Sequence, residues 1–259
     1  MARSPDSTTT AISLESADKV FPSGVRALER IDLQVRTGEL VTLLGPSGCG
    51  KSTLLRILAG LISPTNGRVQ RHGPQDRPVA FVFQQPTLMP WASVTTNVRL
   101  PLDLAGADRA RADGRVRDAL MLVGLQGFEH THPRELSGGM QMRTSIARAL
   151  VTDPGLLLMD EPFGALDEIT RARLDGDIRD LWARQHLTVV FVTHSIYEAV
   201  FLSTRVLVLS ARPGRVMSEV QIDEPHPRTE AFRLTERYAQ WCRRLSELLA
   251  AGSAEPTAA

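Results

Sequence analysis

Residues Gly45-Pro46-Ser47-Gly48-Cys49-Gly50-Lys51-Ser52-Thr53 fit the pattern G-x-x-x-x-G-K-[ST], a loop that cradles phosphate. Its glycines let backbone N–H groups turn inward and approach an anion where a Cβ would clash. A helix that follows directs its positive dipole end at the same place. Lys51 adds a compact charge for β- and γ-phosphates, the Ser52 hydroxyl can ligate Mg²⁺, and Thr53 can donate to a phosphate oxygen. The flanks agree with this reading. Leu40-Val41-Thr42-Leu43-Leu44 reads as a buried strand, and Leu54, Leu55, Leu58 and Leu61 recur at helical spacing. The bland alternative, a chance glycine-rich turn before a helix, does not account for the full match in that context. Arg carries nearly all the positive charge; Lys19 and Lys51 are the only lysines.

The remaining composition sets bounds. The 259 residues are 42% hydrophobic and 23% charged, enough for one large domain or a core with an insertion. A net charge of +1 gives no field that argues for nucleic acid. No apolar run approaches the ~20 residues that span a bilayer. Met1 to Thr10 is polar, without the apolar region of a signal peptide. Cys49 and Cys242 make no disulfide framework, which fits a reducing cytosol. Work at a membrane would therefore be peripheral, through a partner that spans it.

Outward from the loop, strand and helix signals alternate. Ile31-Asp32-Leu33-Gln34-Val35 alternates as a half-exposed antiparallel strand. Pro64-Thr65-Asn66-Gly67 signals a turn before a strand at Arg68-Val69-Gln70. Val79 to Phe83, Leu156 to Met159, Thr188 to Thr193 and Arg205 to Leu209 read as buried strands. Between about 86 and 150 the pattern is helical, with Val116, Leu120 and Val123 on one helix and Met140, Ile146, Ala147 and Leu150 on another. The expected organisation is a mobile N-terminus at 1–10, a domain at 11–220 with the helical section inserted, and a C-terminal helical tail at 221–259. Leu234 to Leu249 is its amphipathic helix. The alternation implies an α/β protein with a largely parallel sheet covered on both faces.

Buried strands end in polar groups at Gln84, Asp160-Glu161 and His194. Ligands of open parallel sheets bind beyond the carboxyl ends of the strands, where the phosphate loop also lies. Four segments can thus converge on one nucleotide. Asp160 suits a carboxylate that steadies Mg²⁺, and Glu161 suits the general base for an attacking water. His194 at a strand end suits contact with a γ-phosphate. The competing readings are ordinary strand-end acids, a structural histidine, and a Gln84 that caps a turn.

Leu136-Ser137-Gly138-Gly139-Met140-Gln141 is a second phosphate-type helix entry: Ser137 is a natural N-cap and the glycines admit close approach. With the phosphate loop, Gln84, Leu157-Leu158-Met159-Asp160-Glu161, Gly164-Ala165-Leu166-Asp167 and Thr193-His194, it makes residues 12 to 220 resemble the ATP-binding subunit of ABC transporters. The resemblance implies a P-loop NTPase core of RecA-like type with an antiparallel β subdomain and an inserted helical subdomain. It implies ATP and Mg²⁺ as cofactors, Ser52, Gln84 and Asp160 at the metal, and Glu161, His194 and Gln84 in hydrolysis. It also implies a homodimer or paired ATPase subunit, in which Ser137, Gly138, Gly139 and Gln141 bind ATP in trans and Asp167 sits at the subunit contact. Phe21 lies where the family places an aromatic ring against adenine; a core Phe of the first β-segment is the alternative. Cys49, inside the cradle, should be shielded from thiol reagents by ATP.

Phe83 to Trp91, Asn97-Val98, Ala199-Val200 and Leu209 to Arg215 resemble the nitrate/sulfonate/taurine importer branch. That implies transmembrane permease subunits, an extracytoplasmic solute-binding protein acting indirectly, no nucleic acid, and a peripheral place on the cytoplasmic face of the inner membrane. Met89, Pro90 and Trp91 either form part of a groove for a permease helix or bury Trp91 within the helical section. Departures from the family are Ser195 where Asp follows the switch His, Thr204 where Asp is frequent, and Met142 for a common Gln. A non-transport ABC ATPase is the main alternative. A GTPase or small-molecule kinase lacks support, since no Asn-Lys-x-Asp motif occurs. An assembly subunit is disfavoured by the intact Glu161 and His194.

Overall fold

A computed structural model describes residues 9–72, 77–226 and 228–253. Residues 1–8 of the expected mobile N-terminus lie outside the described residues, as do residues 73–76, 227 and 254–259. In chain order the elements are β1 (Thr10–Val20), β2 (Arg26–Arg36), β3 (Leu40–Leu44), α1 (Lys51–Leu58), β4 (Asn66–Arg71) and β5 (Val79–Val82). There follow α2 (Val94–Leu104), α3 (Arg109–Leu122), α4 (Gly138–Leu150), β6 (Leu156–Asp160), α5 (Glu168–Gln185) and β7 (Val189–Thr193). The chain closes with α6 (Ile196–Leu202), β8 (Arg205–Leu209), β9 (Val216–Gln221), α7 (Glu230–Arg233) and α8 (Glu236–Ser253). The chain is an α/β protein, with parallel strands around the phosphate loop and a separate antiparallel sheet. Among the described residues no helix is long and apolar enough to cross a membrane.

The residues divide into two compact units, Met1–Gly73 with Ile178–Ala259, and Pro74–Asp177. In the first unit β3 lies between β7 and β8, parallel to both, and β9 runs antiparallel beside β8. Every residue of β3, β7 and β8 is buried, which explains their mostly apolar runs. The antiparallel sheet β2-β1-β4 alternates along β2, with Ile31, Leu33 and Val35 inside. In the second unit β5 and β6 pair in parallel. β6 is wholly buried, but β5 alternates between half-buried and buried positions and stops at Val82, shorter than the run to Phe83 suggests. The helices α2, α3 and α4 of the expected helical section lie in this unit.

The tail differs from a single helix over Leu234–Leu249. The chain breaks at Leu234, which caps α7 and is exposed, and α8 begins at Glu236. Tyr238, Leu245 and Gly252, seven residues apart, form its buried seam. Ahead of α7, the Arg228 guanidinium is buried and donates to the carbonyls of Val200, Phe201 and Ser203 and to that of Ile222.

His226 sits beside this anchor, edge-on to Trp182 with ring centroids 4.7 Å apart. Burial, and then the Arg228 and Arg179 guanidinium charges, push its imidazole from the ordinary 6.5 down to about 4. The folded protein therefore keeps His226 neutral where the unfolded chain would already take up a proton. Its contribution to stability is complete above pH 6.5 and is lost as pH falls toward 4. Melting temperatures measured from pH 7 to pH 4 should fall less steeply in His226→Gln than in the unsubstituted protein. Parallel curves would show that this histidine carries none of the acid sensitivity.

Candidate functional site

In the first unit, Leu44 of β3 lies opposite Thr193 of β7, so Gly45 and His194 leave neighbouring strand ends. Gly50, at φ +108, turns the chain into α1, whose first turn has no side-chain cap, and a helix N-terminus of this kind favours an anion. A Cβ on Gly50 would stand 2.7 Å from the Ala27 carbonyl oxygen and from Leu28 Cδ2, so β2 can approach only a glycine here. Lys51 is 4% exposed, and its Nζ donates to the carbonyls of Gly45 and Pro46 at 2.7 and 3.0 Å. A buried ammonium must be paired, and here the loop itself supplies acceptors. Ser52 and Thr53 follow on α1, partly exposed. Cys49 contributes backbone to the loop, but its side chain is only 1% exposed. Its thiol is thus screened by protein, and the expected shielding by ATP has little exposed sulfur to act on.

His194 is exposed and its backbone is held from both sides. The Ser195 N–H donates to Thr193 Oγ1 at 2.9 Å, and the Thr193 hydroxyl donates to the buried Glu198 carboxylate. Ser195 N-caps α6 by accepting from the Glu198 N–H at 3.3 Å. It thereby does the work that an Asp could do at this position. Thr204, the second departure, donates through its hydroxyl to the Leu40 carbonyl at 2.9 Å. Phe21 is half-buried in a turn closed by Phe21 N–H on the Val25 carbonyl, under the Lys19 ammonium, so it is not a core residue.

In the second unit, Val82 of β5 pairs with Met159 of β6, which brings Gln84, Asp160 and Glu161 to adjacent strand ends. Asp160 is buried; Glu161 is half-exposed and holds φ +44, a left-handed conformation that costs a non-glycine residue about 1–3 kcal/mol. Gly164 lies beside both Gln84 and Glu161: a Cβ there would be 3.5 Å from Gln84 Nε2 and 3.9 Å from Glu161 Oε2. Arg171 fixes the intervening turn by donating to the carbonyls of Phe163 and Leu166 at 3.3 and 2.9 Å. No spacing in the sequence singles out Arg171. Asp167 caps α5 by accepting from the Thr170 N–H at 2.9 Å, which holds its carboxyl below the usual range.

Ser137 caps α4 by accepting from the Met140 N–H, and both Ser137 and Gly138 are exposed at the helix entry. Gly139 is buried against Thr170, where a Cβ would approach Cγ2 to 2.7 Å. The Gln141 amide donates to the carbonyls of Pro133 and Leu136, so it steadies the turn that presents Ser137. Met142 is buried.

The same unit carries an apolar cavity of about 410 Å³, lined by Pro78, Phe81, Phe83, Leu100, Leu104 and Arg148 among others. Arg148 donates to the carbonyls of Pro86 and Thr87, bracing the segment after Gln84. Trp91 is 78% exposed, which rules out its burial in the helical section. The turn that displays it is pinned by Asn97, whose buried amide accepts from the Met89 N–H and donates to the carbonyls of Met89, Ala92 and Ser93.

The ABC transporter family model matches residues 28–164. An uncharacterised ABC transporter ATP-binding protein of Methanocaldococcus jannaschii is 48% identical over 226 residues, covering 84% of each chain. The aliphatic sulfonates import ATP-binding protein SsuB of Bacillus cereus is 41% identical over 226 residues, covering 85% of this chain and 89% of that protein. A solved dimeric ATP-binding cassette, in a post-hydrolysis state with ADP and Pi, superposes with a TM-score of 0.72 at 31% identity, over 83% of this chain and all of that one. CbiO1 of Clostridium perfringens shares the fold, with a TM-score of 0.77 at 24% identity.

Replacing Asn97 with Ala removes four hydrogen bonds and leaves the Met89 N–H without its acceptor. The expected loss of stability is about 2–3 kcal/mol, read from urea unfolding. A loss below about 0.5 kcal/mol, the low end for a single hydrogen bond, would mean that the Met89–Ser93 turn holds without it.

Proposed function

The chain belongs to the ATP-binding subunits of ABC transporters, and from that premise we propose that it powers uptake of a small nitrate-, sulfonate- or taurine-like solute through a partner permease. It is an ATPase of the ABC type. The observation that carries the importer reading is the 41% identity, over 85% of the chain, to an ATP-binding protein of aliphatic sulfonate import. Exposed Trp91 and the apolar cavity support a permease contact, because an amphipathic helix seeks such a surface. The solute-binding protein acts only indirectly. The protein would then work peripherally on the cytoplasmic face of the inner membrane.

In this reading the amides of residues 45–53 and the Lys51 ammonium take the ATP phosphates. Lys51 exchanges carbonyl acceptors for phosphate oxygens, so its burial costs little in either partnership. Phe21, half-exposed in its turn, offers a ring face to adenine. Glu161 accepts a proton from the attacking water, His194 orients the γ-phosphate, and Gln84 reports nucleotide status to the permease-facing helices. Ser137, Gly138, Gly139 and Gln141 present a capped helix entry to the ATP of a second copy, beside Asp167. Exposure of Ser137 and Gly138 supports that role, since neither is spent on packing within the chain.

The oxygen donors of Ser52, Gln84 and Asp160 suit Mg²⁺, which takes few protein ligands and completes its shell with phosphate and water. The described residues hold no cluster of three His, Cys, Asp or Glu that would form an all-protein cage. When bound, the ion neutralises phosphate charge that develops in the reaction.

Two measurements test the reading. Glu161→Gln should retain ATP binding while turnover falls by at least about 100-fold, and ATP should accumulate it as a dimer in sedimentation. Undiminished turnover would remove Glu161 from the role of base. Trp91→Ala should leave the ATPase of the isolated subunit within about twofold of normal while reducing transport with co-expressed permease several-fold. Normal transport would place the permease contact elsewhere.

A further inference from the structure

Residues Ser210–Arg215 mark a subfamily in the sequence, yet none of them has a role in the chemistry above. In the first unit this short loop encloses the phosphate loop from outside. The Gly214 N–H donates to the Ala27 carbonyl at 2.9 Å, and the Glu29 N–H donates to the Gly214 carbonyl at 3.0 Å. Arg215 pairs with Glu29 at 2.8 Å. A Cβ on Gly214 would collide with the Cys49 carbonyl oxygen, so only glycine lets this backbone lie against the phosphate loop. On the far side, the Ala211 N–H donates to the Gly252 carbonyl of α8 at 3.0 Å. The Ser210 side chain closes the loop, accepting from the Arg215 N–H at 2.9 Å.

From this anchored position Arg212 reaches Gly48. Its Nε and Nη2 both donate to the Gly48 carbonyl oxygen, at 3.1 and 3.0 Å. A trans peptide is planar, with C=O and N–H on opposite sides. Holding the Gly48 carbonyl toward Arg212 therefore turns the Cys49 N–H the other way, where it donates to the Pro46 carbonyl at 3.3 Å. Gly48 itself, at φ +76, has wide freedom, with no side chain to limit it. We propose that Arg212 is a positioning residue for ATP binding, which holds the Gly48–Cys49 peptide and with it the Pro46–Cys49 turn of the phosphate loop.

The inference rests on residues 45–53 being the ATP cradle. ATP binding to the unsubstituted protein, measured first by calorimetry with Mg²⁺, tests that assignment by itself. Given binding, Arg212→Ala should raise the ATP Kd and KM about 3–10-fold, as expected when one charge-assisted hydrogen-bonding group near the surface is removed. Its kcat should stay within about twofold and its nucleotide-free melting temperature within about 2 °C, because the guanidinium is exposed. Arg212→Lys keeps the charge but not the two-donor fork, and should recover less than half of the affinity that Arg212→Ala forfeits. A Kd within twofold of normal in Arg212→Ala overturns the proposal. So does full recovery in Arg212→Lys, which would leave only a general attraction of charge. Should the Ala variant fail to fold, the Kd of the Lys variant decides on the same terms.

Discussion

A loop that offers its backbone to an anion has few side chains with which to hold itself, so neighbouring segments must help hold it. That constraint shapes the first unit around residues 45–53. Ala27 and Leu28 of β2 press on Gly50, Gly214 lies on the Cys49 carbonyl, and Leu209 stands 3.2 Å from where a Cβ of Gly45 would be. Each of these contacts is backbone or aliphatic. The Cys49 thiol takes part as packing, beside Gly45, and this explains its burial. Lys51 completes the arrangement, since its charge stays paired within the same loop.

Parallel pairing then decides which groups share an edge. Register sets Leu44 against Thr193 in one unit and Val82 against Met159 in the other, so residues far apart in sequence emerge side by side. This much was legible beforehand. Buried parallel strands read as apolar runs, and polar residues at their ends stand out against them. The phosphate loop, Asp160-Glu161 and His194 stand out for that reason, and they lie at the ends of these strands. β5 was the exception: its alternating burial ends at Val82, and an apolar Phe83 beyond it is exposed, a contrast that composition does not reveal.

Residues that hold the site were much less legible, because their partners are remote. Arg212 meets Gly48 across 164 positions, and Trp182 donates to Gly38 across 144. Arg171 and Asn97 act locally but through main-chain carbonyls, which carry no mark in a sequence. The departures at Ser195 and Thr204 raised a different difficulty. Judged against a family pattern they are losses; judged by hydrogen bonds they are substitutions of one oxygen for another. Ser195 still caps α6, and Thr204 still closes onto β3.

The C-terminal tail shows how such remote contacts reach the chemistry. α6 is only seven residues long, too short to be stable without tertiary support. Its final carbonyls would be unpaired without outside donors. Arg228 supplies them for Val200 and Phe201 and also binds the Ser203 carbonyl just beyond, and the Tyr238 hydroxyl donates to the Tyr197 carbonyl at 3.0 Å. The ring of Phe201 meanwhile lies beneath the Arg233 guanidinium, 3.7 Å from its centroid. At the other end of the same helix, Ser195 and Glu198 fix the backbone on either side of His194. Freeing the tail would thus release the carbonyls of Val200 and Phe201 at one end of α6 and that of Tyr197 near the other, with only the Ser195 cap left in place. Both ends of α6 would loosen together, and the Tyr197 contact, close in sequence to His194, is the one through which the tail bears on the histidine.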